Sequence, residues 1–429
     1  MINKAFIYVI LFLLIFMDPF IFNFAVGPIH LTLLRLIIFL ISIPILYQYI
    51  VKRNFNNLAA IKSPIIFFAI WFIYGFASLA WATDKIVAVK ELYYFFIFLL
   101  LILILINLLD DEKMIKVMDR SFWGIGVITI FICLMEIFTG FHLGTSRYVI
   151  EVMRTEEIHY IATAFFYNEN DLSLFLVMIA PFYYLKIFGE RKLYLKIINA
   201  FVMSLLFYVI IINGSRVAIL AIFIQTAALL YIKFKPTFYR IIRSSILFLP
   251  VFIVFIFLNI DKITPLIAIY NGYGSNFVRL NLYLNGLYSV YQSFMLGVGP
   301  GNFEKNIFPM FITNGIVNPH NWWIELLTNY GFLVFSGYLL FFIYHLKKLF
   351  KIYKEKNIYS NVAIILFISQ IGFIFASIGP SRLFYYWPMW VNYAIILAII
   401  NLNERKNNEL FDAIYEGDLN HLKKESVEL

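Results

Sequence analysis

Charged residues are scarce in this chain of 429 residues, in which Lys, Arg, Asp and Glu together make up only 14%. A soluble domain has about 25% charged and about 45–50% apolar residues, whereas 62% of this chain is hydrophobic, so a soluble globular protein is excluded. Aromatic residues account for 20% of the chain, which excludes an intrinsically disordered protein. The composition indicates an integral membrane protein.

Cysteine is almost absent as well. The single Cys133 lies in an apolar run, so the chain has neither an intramolecular disulfide nor a cysteine-based zinc site. No Gly-x-x-x-x-Gly-Lys-Ser/Thr sequence occurs, and its absence excludes a P-loop and with it the ATP-driven pumps.

Long hydrophobic runs fill most of the chain. A spanning helix needs about 20 predominantly apolar residues, and windows of that width predict an all-α polytopic fold with about 12 transmembrane helices. The predicted spans are 5–24, 29–50, 64–82, 92–109, 121–140, 171–188, 195–213, 216–233, 242–260, 325–346, 358–378 and 384–401. Residues 1–402 would form the membrane domain, with a large outer loop at 261–324 between spans nine and ten, and residues 403–429 a polar cytoplasmic tail.

The net charge of +9 is distributed unequally between the two predicted sides. With the N-terminus inside, 24 of the 34 Lys and Arg residues fall in inner segments and 9 in outer ones, and Arg35 lies within the second span. This positive-inside bias predicts cytoplasmic N- and C-termini. Because the bias also accounts for the basic character of the chain, no nucleic-acid partner is expected.

Three residues on the predicted outer side have chemistry suited to an anionic, lipid-linked substrate. Arg216 follows an Asn-Gly-Ser turn, Arg279 lies in an amphipathic stretch of the large loop, and His320 follows Asn-Pro. Arginine binds phosphate bidentately, and an arginine close to a membrane needs an anion or water. Two arginines at one groove would suit a diphosphate, and histidine, with an ordinary pKa of about 6.5, would suit proton transfer.

Each of these residues also fits a simpler interpretation. Arg216 could reach lipid headgroups with its long side chain, Arg279 could be an ordinary loop cation, and His320 could be a turn residue. Glu169 and Asp171 are outer carboxylates that could hold a metal ion, but Asp171 is equally suited to cap a helix. The residue types alone leave these alternatives open.

Taken in order along the chain, several segments resemble the O-antigen ligase and polymerase superfamily of bacterial envelope glycosyltransferases. His320 and Asn321, followed by nine residues and then Gly331, are similar to the family's His-Asn-x9-Gly signature at the end of its large periplasmic loop. Residues 297–303 (Gly-Val-Gly-Pro-Gly-Asn-Phe) resemble its Gly-x-Gly-x-Gly-x-Phe segment, and residues 213–216 (Asn-Gly-Ser-Arg) resemble its Ser-Arg helix start.

Two further segments extend the resemblance over most of the chain except the polar tail. Residues 168–171 (Asn-Glu-Asn-Asp) look like the family's polar entry to the sixth span, and residues 79–84 (Leu-Ala-Trp-Ala-Thr-Asp) look like a segment after the third span. Val334 departs from the family, which often has a small residue at that position.

The resemblance implies an enzyme that transfers a glycan from a polyprenyl diphosphate carrier to an acceptor hydroxyl on the outer face of the membrane. Arg216 and Arg279 would bind the carrier diphosphate, and His320 would orient or deprotonate the acceptor. No cofactor and no metal are expected, because the donor is already activated and the family is regarded as metal-independent. The expected supporting residues are Asn321, Glu325, Gly297, Gly299 and Gly301, and Glu325 could orient His320.

Three functions follow as hypotheses. The first is a polymerase that joins carrier-linked repeat units of an envelope polysaccharide in the bacterial inner (plasma) membrane, with membrane lipid around it and a chain-length regulator as a further partner. The second is a ligase that moves finished glycan to lipid A-core or another glycan or lipid-glycan acceptor. The third, from a different class, is a flippase or exporter of lipid-linked glycan.

Overall fold

The structure, a computed structural model, describes residues 3–18, 23–27, 29–150, 159–234 and 274–425. The α-helices in these ranges are α1 (Lys4–Met17), α2 (Leu33–Ile50), α3 (Lys62–Ala77), α4 (Lys85–Leu108), α5 (Glu112–Thr139), α6 (Glu169–Gly189), α7 (Leu193–Ile212), α8 (Arg216–Lys233), α9 (Ser275–Gln292), α10 (Trp322–Lys354), α11 (Ser360–Ala376) and α12 (Trp387–Glu425). A single antiparallel hairpin in the described ranges, β1 (Asn23–Val26) and β2 (Ile29–Thr32), joins α1 to α2. Short 3-10 turns lie at Asn56–Ile61, Ser78–Ala80 and Phe303–Asn306.

Eight helices of the described part of the chain are long and apolar enough to cross a membrane: α2, α3 with its flanking turns, α4, α5, α6, α7, α8 and α10. Helices α1 and α11 are apolar but shorter. The prediction of an all-α polytopic membrane protein is confirmed, and eleven of the twelve predicted spans coincide with helices. The remaining prediction, 242–260, lies outside the described residues.

The prediction for the first span was wrong at its C-terminal end. Helix α1 ends at Met17 rather than at residue 24, and residues 23–26 belong to the hairpin, in which Asn23 pairs with Thr32 and Val26 with Ile29. A window of hydrophobicity cannot separate a short apolar strand from the end of a helix, because both bury apolar side chains.

Side chains at the helix starts show why the helices begin where they do. Asp84, Asp111, Asn168 and Asn321 each accept hydrogen bonds from backbone N–H groups of the first turn of α4, α5, α6 and α10. The first N–H groups of a helix have no partner within the helix, so such a cap is worth about 1 kcal/mol and sets the boundary.

The first half of α12 forms the centre of the bundle. Residues 393–400 are exposed by no more than 1%, and Trp390 stacks on Phe98 with ring centroids 5.0 Å apart. Because this part of α12 is surrounded by other helices, it can carry polar residues such as Asn392, whose amide donates to the Ser369 hydroxyl at 3.2 Å. Interhelical hydrogen bonds of this kind take the place of contacts with lipid.

The two ends of the bundle carry different cations. Ion pairs at one end, here named the Lys4 end, are Lys4–Asp110, Lys186–Asp119 and Lys348–Glu404. The opposite end, here named the His320 end, carries Arg147, Arg216, Arg279 and Arg382. The structure therefore separates the cations in the same way as the charge bias does, and the assignment of the Lys4 end to the cytoplasm stays a prediction.

Candidate active site

A break in α10 carries the glycine of the His-Asn-x9-Gly signature. Gly331 has φ 72° and ψ −176°, which no helical residue adopts, so residues 322–330 and 332–354 are two helical pieces. A Cβ on Gly331 would lie 2.4 Å from the Met295 carbonyl oxygen, and one on Gly297 would lie 2.4 Å from the Gly331 nitrogen. Only glycine permits backbones to approach this closely at positive φ.

Hydrogen bonds across the break hold the glycine-rich loop in place. The backbone bonds are Phe332 N–H to Met295 O at 2.8 Å, Val298 N–H to Thr328 O at 2.9 Å and Gly299 N–H to Asn329 O at 3.0 Å. They satisfy the Phe332 N–H and the Thr328 and Asn329 carbonyl groups, which the break in α10 leaves without a helical partner. The loop and the broken helix therefore form one unit.

The segment at residues 79–84 packs on the other side of this loop. The Trp81 indole donates to the Gly297 carbonyl at 2.9 Å, and the Asp84 N–H donates to the Asn302 side chain at 2.7 Å. A Cβ on Gly299 would meet Ala82 at 2.6 Å, and one on Gly301 would meet the Glu91 carboxylate at 2.9 Å. The three predicted glycines are buried, so they support the site through backbone packing.

His320 lies immediately before the broken helix, and its backbone is fixed from both sides. It has a positive φ of 49°, and its Nδ1 lies 3.2 Å from the Gly379 carbonyl oxygen. Asn321 caps α10 by accepting from Trp323 N–H at 3.0 Å, and Trp322 N–H donates to the Ser377 carbonyl at 3.1 Å. The connection from α11 to α12 thus holds the imidazole by way of Gly379.

The surroundings of His320 favour its neutral form. Burial lowers the pKa of the imidazole below its ordinary value, and the positive charges of Arg279 and Arg147 lower it further. The Gly379 carbonyl and the Glu169 carboxylate act in the opposite direction. Since a carbonyl oxygen only accepts, Nδ1 must carry the proton, and Nε2 is therefore left with a free electron pair.

Arg279 approaches His320 from helix α9, as its effect on the imidazole pKa shows. Tyr283, one helical turn further along, interacts with the guanidinium of Arg279 and with the Asn321 side chain, and burial raises the pKa of its phenol. The structure thus brings together His320 and Arg279, which are 41 positions apart in the chain.

Arg147 is a site residue that sequence reasoning missed. Its guanidinium donates to the Glu169 carboxylate at 2.9 Å and lies over the Tyr148 ring, 4.9 Å from the ring centroid. Tyr148 also donates to Glu169, at 3.3 Å. The only signal in the sequence was the rarity of outer cations, which does not distinguish Arg147 from its neighbours.

Arg216 is the first residue of α8, and its side chain is exposed. It makes no ion pair with any residue in the described ranges. The start of α8 contacts the turn that holds His320, because a Cβ on Gly379 would lie 2.9 Å from Val217 and 3.6 Å from the Asn170 amide oxygen. Arg216 therefore lies beside the same turn, and its side chain is accessible.

Glu325 does not orient His320. Its carboxylate is buried and accepts from Leu383 N–H at 2.9 Å and from Phe384 N–H at 3.4 Å. Glu325, which was expected to orient the histidine, instead closes the turn between α11 and α12, because the first turn of α10 directs this side chain toward the bundle centre. Glu325 thus acts on His320 only through the turn that carries Gly379.

The carboxylates considered as metal ligands have protein partners. Glu169 binds Arg147 and Tyr148, and one oxygen of Asp171 accepts from the Asn168 amide at 3.0 Å. Within the described ranges, no group of three or more His, Cys, Asp or Glu residues is arranged to hold a metal ion.

Comparison with known proteins agrees with this geometry. Residues 201–339, which include Arg216, Arg279, His320 and the break at Gly331, match the family model described as O-Antigen ligase. The chain is also similar to the teichuronic acid biosynthesis protein TuaE of Bacillus subtilis (strain 168), with 28% identity over 411 residues that cover 91% of this chain and 83% of that protein. These two matches, together with the apolar helices, support a multi-pass membrane protein that is similar to the O-antigen ligase and polymerase superfamily of envelope polysaccharide proteins.

Proposed function

We propose that this protein is an envelope polysaccharide polymerase that transfers a glycan from a polyprenyl diphosphate carrier to a sugar hydroxyl at the His320 end, which faces outward. The observation that carries the proposal is the arrangement around His320: a neutral imidazole with a free Nε2, with Arg279, Arg147 and the start of α8 beside it. A base next to a cluster of arginines suits a reaction in which a hydroxyl attacks and a diphosphate leaves.

The arginines would stabilise the leaving group. The acceptor oxygen attacks the anomeric carbon, the bond from that carbon to the diphosphate oxygen breaks, and the carrier diphosphate departs with the electron pair. Arg216 and Arg279 supply fixed donors where this negative charge grows, so little reorganisation is needed during the reaction. Arg216 is suited to the part because its guanidinium has no ion-pair partner among the described residues.

His320 would take the proton of the acceptor hydroxyl on Nε2. A positioned base contributes typically about 10²–10⁴-fold to such a reaction. The lowered pKa of His320 keeps the imidazole neutral and ready to accept a proton at neutral pH. Because Nδ1 is bound to the Gly379 carbonyl, the ring cannot turn to present the wrong nitrogen without losing that hydrogen bond.

A relative of this chain supports a part in the biosynthesis of an envelope polysaccharide, which a polymerase would have. That protein is described by its role in teichuronic acid biosynthesis, and the similarity extends over 91% of this chain. The ligase, in which a finished glycan moves to another acceptor, uses the same chemistry and remains the second candidate because the matching family model is described as O-Antigen ligase.

Transport of lipid-linked glycan is less well supported. Arg35, the cation within a predicted span, is 6% exposed and lies 3.5 Å from Asp18 and 4.7 Å from the centre of the Tyr94 ring. A flippase would be expected to line a central path with charges, whereas the first half of α12 fills the middle of this bundle.

The products of a deletion strain test the proposal. Loss of a polymerase leaves single carrier-linked repeat units, whereas loss of a ligase leaves long carrier-linked chains. Complementation with the wild-type chain should restore the polymer, and the His320→Gln variant should not, although it reaches the membrane in equal amount. Long carrier-linked chains in the deletion strain would contradict the polymerase, and full-length polymer made by His320→Gln would contradict the role of the base.

A further inference from the structure

A cavity opens at the His320 end, beside the N-terminus of α6. It has a volume of about 210 Å³ and lies between the end of α1, the start of α6 and residues 382–388. Its lining combines polar groups with aromatic rings: Asp18, Asp171, Arg382, Tyr167, Tyr385 and Trp387. None of these residues has a part in the transfer step described above.

The helix α6 separates this cavity from His320. Glu169 acts on the His320 imidazole, while Asp171, two residues later, lines the cavity. Residues two positions apart on a helix point about 200° apart, and a helix with its side chains is about 10–12 Å wide. The cavity and the His320 imidazole therefore lie on different sides of the start of α6. The connection between α11 and α12 contributes to the cavity and to the reacting centre. Its Gly379 holds His320, whereas its Arg382 and Tyr385 line the cavity.

Polar atoms at the cavity lack protein partners. Asp18 Oδ1 and Asp171 Oδ1 are buried and make no hydrogen bond of full geometry in the described ranges, where the Thr32 hydroxyl and the Ser381 N–H lie near these two carboxylates. The hydroxyl of the half-buried Tyr385 makes no hydrogen bond to any described residue. A buried polar atom without a well-formed hydrogen bond is unfavourable, so the two carboxylate oxygens point to a ligand that donates hydrogen bonds.

The charges select the class of ligand. Asp18 is balanced by Arg35 behind it, and Arg382 is balanced by Glu304, which leaves the Asp171 carboxylate. A carboxyl group forms hydrogen bonds with hydroxyl groups and offers no positive charge to a phosphate, so the lining favours a ligand rich in hydroxyl groups. Aromatic walls with a few placed polar groups are the usual lining of a small-molecule site, and about 210 Å³ is below the range for a drug-sized ligand but enough for one sugar ring.

We propose that this cavity is a subsite for one neutral sugar ring of the glycan, adjacent to the sugars that react at His320. The proposal rests on the proposed function for the identity of the glycan. The subsite would accept sugar hydroxyls on Asp18, Asp171 and the Tyr385 oxygen and pack the ring against the aromatic walls. It would thereby set which repeat unit is aligned for transfer.

Kinetics of the full-length protein in phosphatidylethanolamine and phosphatidylglycerol vesicles test the subsite. The donor is the carrier-linked repeat unit extracted from the deletion strain, the acceptor is oligosaccharide released from the same carrier by mild acid, and each is titrated separately. Asp171→Asn and Tyr385→Phe should each raise KM for one substrate, by about tenfold or more for Asp171→Asn, with kcat within about twofold. The substrate whose KM rises identifies the bound chain as donor or acceptor.

A matched control is Asp110→Asn, the same change in an ion pair at the Lys4 end, which should leave both KM values unchanged. Melting of the purified variants checks that they fold. Tyr385→Phe removes only a hydroxyl without a protein partner, so it remains informative if Asp171→Asn is unstable. Unchanged KM values for both substrates in folded variants would overturn the proposal.

Failure of the proposed function has a different signature. If the wild-type protein transfers no glycan, the subsite is still tested by the fluorescence of Trp387, with Trp387→Phe as the reference for the other tryptophans. A saturable change with the released oligosaccharide, lost in Asp171→Asn, would support the subsite alone. No change with the oligosaccharide, or the same change with calcium chloride in its place, would overturn it.

Discussion

Replacing Gly331 by alanine should separate the structural glycine of the signature from the chemical histidine. The new Cβ would lie 2.4 Å from the Met295 carbonyl oxygen and 2.4 Å from the Leu296 carbonyl carbon, distances that backbone atoms cannot tolerate. The loop must therefore withdraw from the break in α10. Three backbone hydrogen bonds, of 2.8, 2.9 and 3.0 Å, cross that contact.

The cost follows from these contacts. Each hydrogen bond is worth about 1 kcal/mol net, and a non-glycine residue at such a backbone conformation costs about 1–3 kcal/mol more. The sum is about 4–6 kcal/mol, which should lower the melting temperature of the detergent-purified protein by roughly 10 °C and remove polymer formation in cells. Gly297→Ala should do the same, because its Cβ would lie 2.4 Å from the Gly331 nitrogen.

Two controls make this prediction specific. Gly124→Ala, in the middle of α5 with no atom within 4 Å of the new Cβ, should be neutral or stabilising by about 0.5–1 kcal/mol. The double variant Gly297→Ala/Gly331→Ala should cost clearly less than the sum of the two single variants, because both break the same contact. A Gly331→Ala protein with the same melting temperature as the wild type would show that the close backbone contact does not require glycine at this position.

The remaining predictions concern the site itself. His320→Gln should lower the transfer rate by about 10²–10⁴-fold and leave the melting temperature unchanged; a large loss of stability would indicate a structural histidine instead. Because the base works in its neutral form and burial with nearby arginines lowers the pKa of His320, the wild-type rate should fall only below pH 6.5. In Arg279→Gln this acid limb should move to higher pH, since a positive charge that lowers the pKa is removed; an unmoved limb would show that Arg279 is too far away to act. Arg216→Lys and Arg279→Lys should both lose most activity in the vesicle assay, because lysine cannot bind a phosphate bidentately. Activity retained in either variant would show that only the positive charge of that arginine is needed. Glu325→Gln should lower the melting temperature and kcat together, because it loosens the turn at Leu383 that also positions Gly379.

The positions of the helices could be predicted because their signal is local. A run of about 20 apolar residues is recognisable whatever surrounds it, and α8 begins and ends at the predicted residues 216 and 233. The predicted end of α1 was wrong, because a short apolar strand lies soon after this helix and a hydrophobicity window does not distinguish the two. Helix α12 was predicted from its apolar centre, but only its packing explains why it tolerates Asn392 and Asn401.

The sequence predicted which types of residue form the candidate site, but it predicted only some of the contacts between them. The proximity of Arg279 to His320 was expected from chemistry and is seen in their electrostatic interaction. Arg147 was missed because only its position in the tertiary structure, and no feature of the local sequence, distinguishes it from other loop cations. Glu325 was expected at His320 but closes a turn 58 residues away, since the direction of a side chain on a helix start depends on what packs beside it.

The sequence by itself determined the class of the protein, the number and order of most helices, the unequal charge of the two sides and the resemblance to a family, because each depends on residue type and short-range spacing. Only the tertiary structure decided which nitrogen of His320 is free, since its partner Gly379 lies 59 residues further along the chain. It alone revealed the cavity behind α6, whose walls come from three separate parts of the chain. Gly331 shows both contributions: the signature marks the residue, and the contact with the loop at 295–297 gives the physical reason for glycine there.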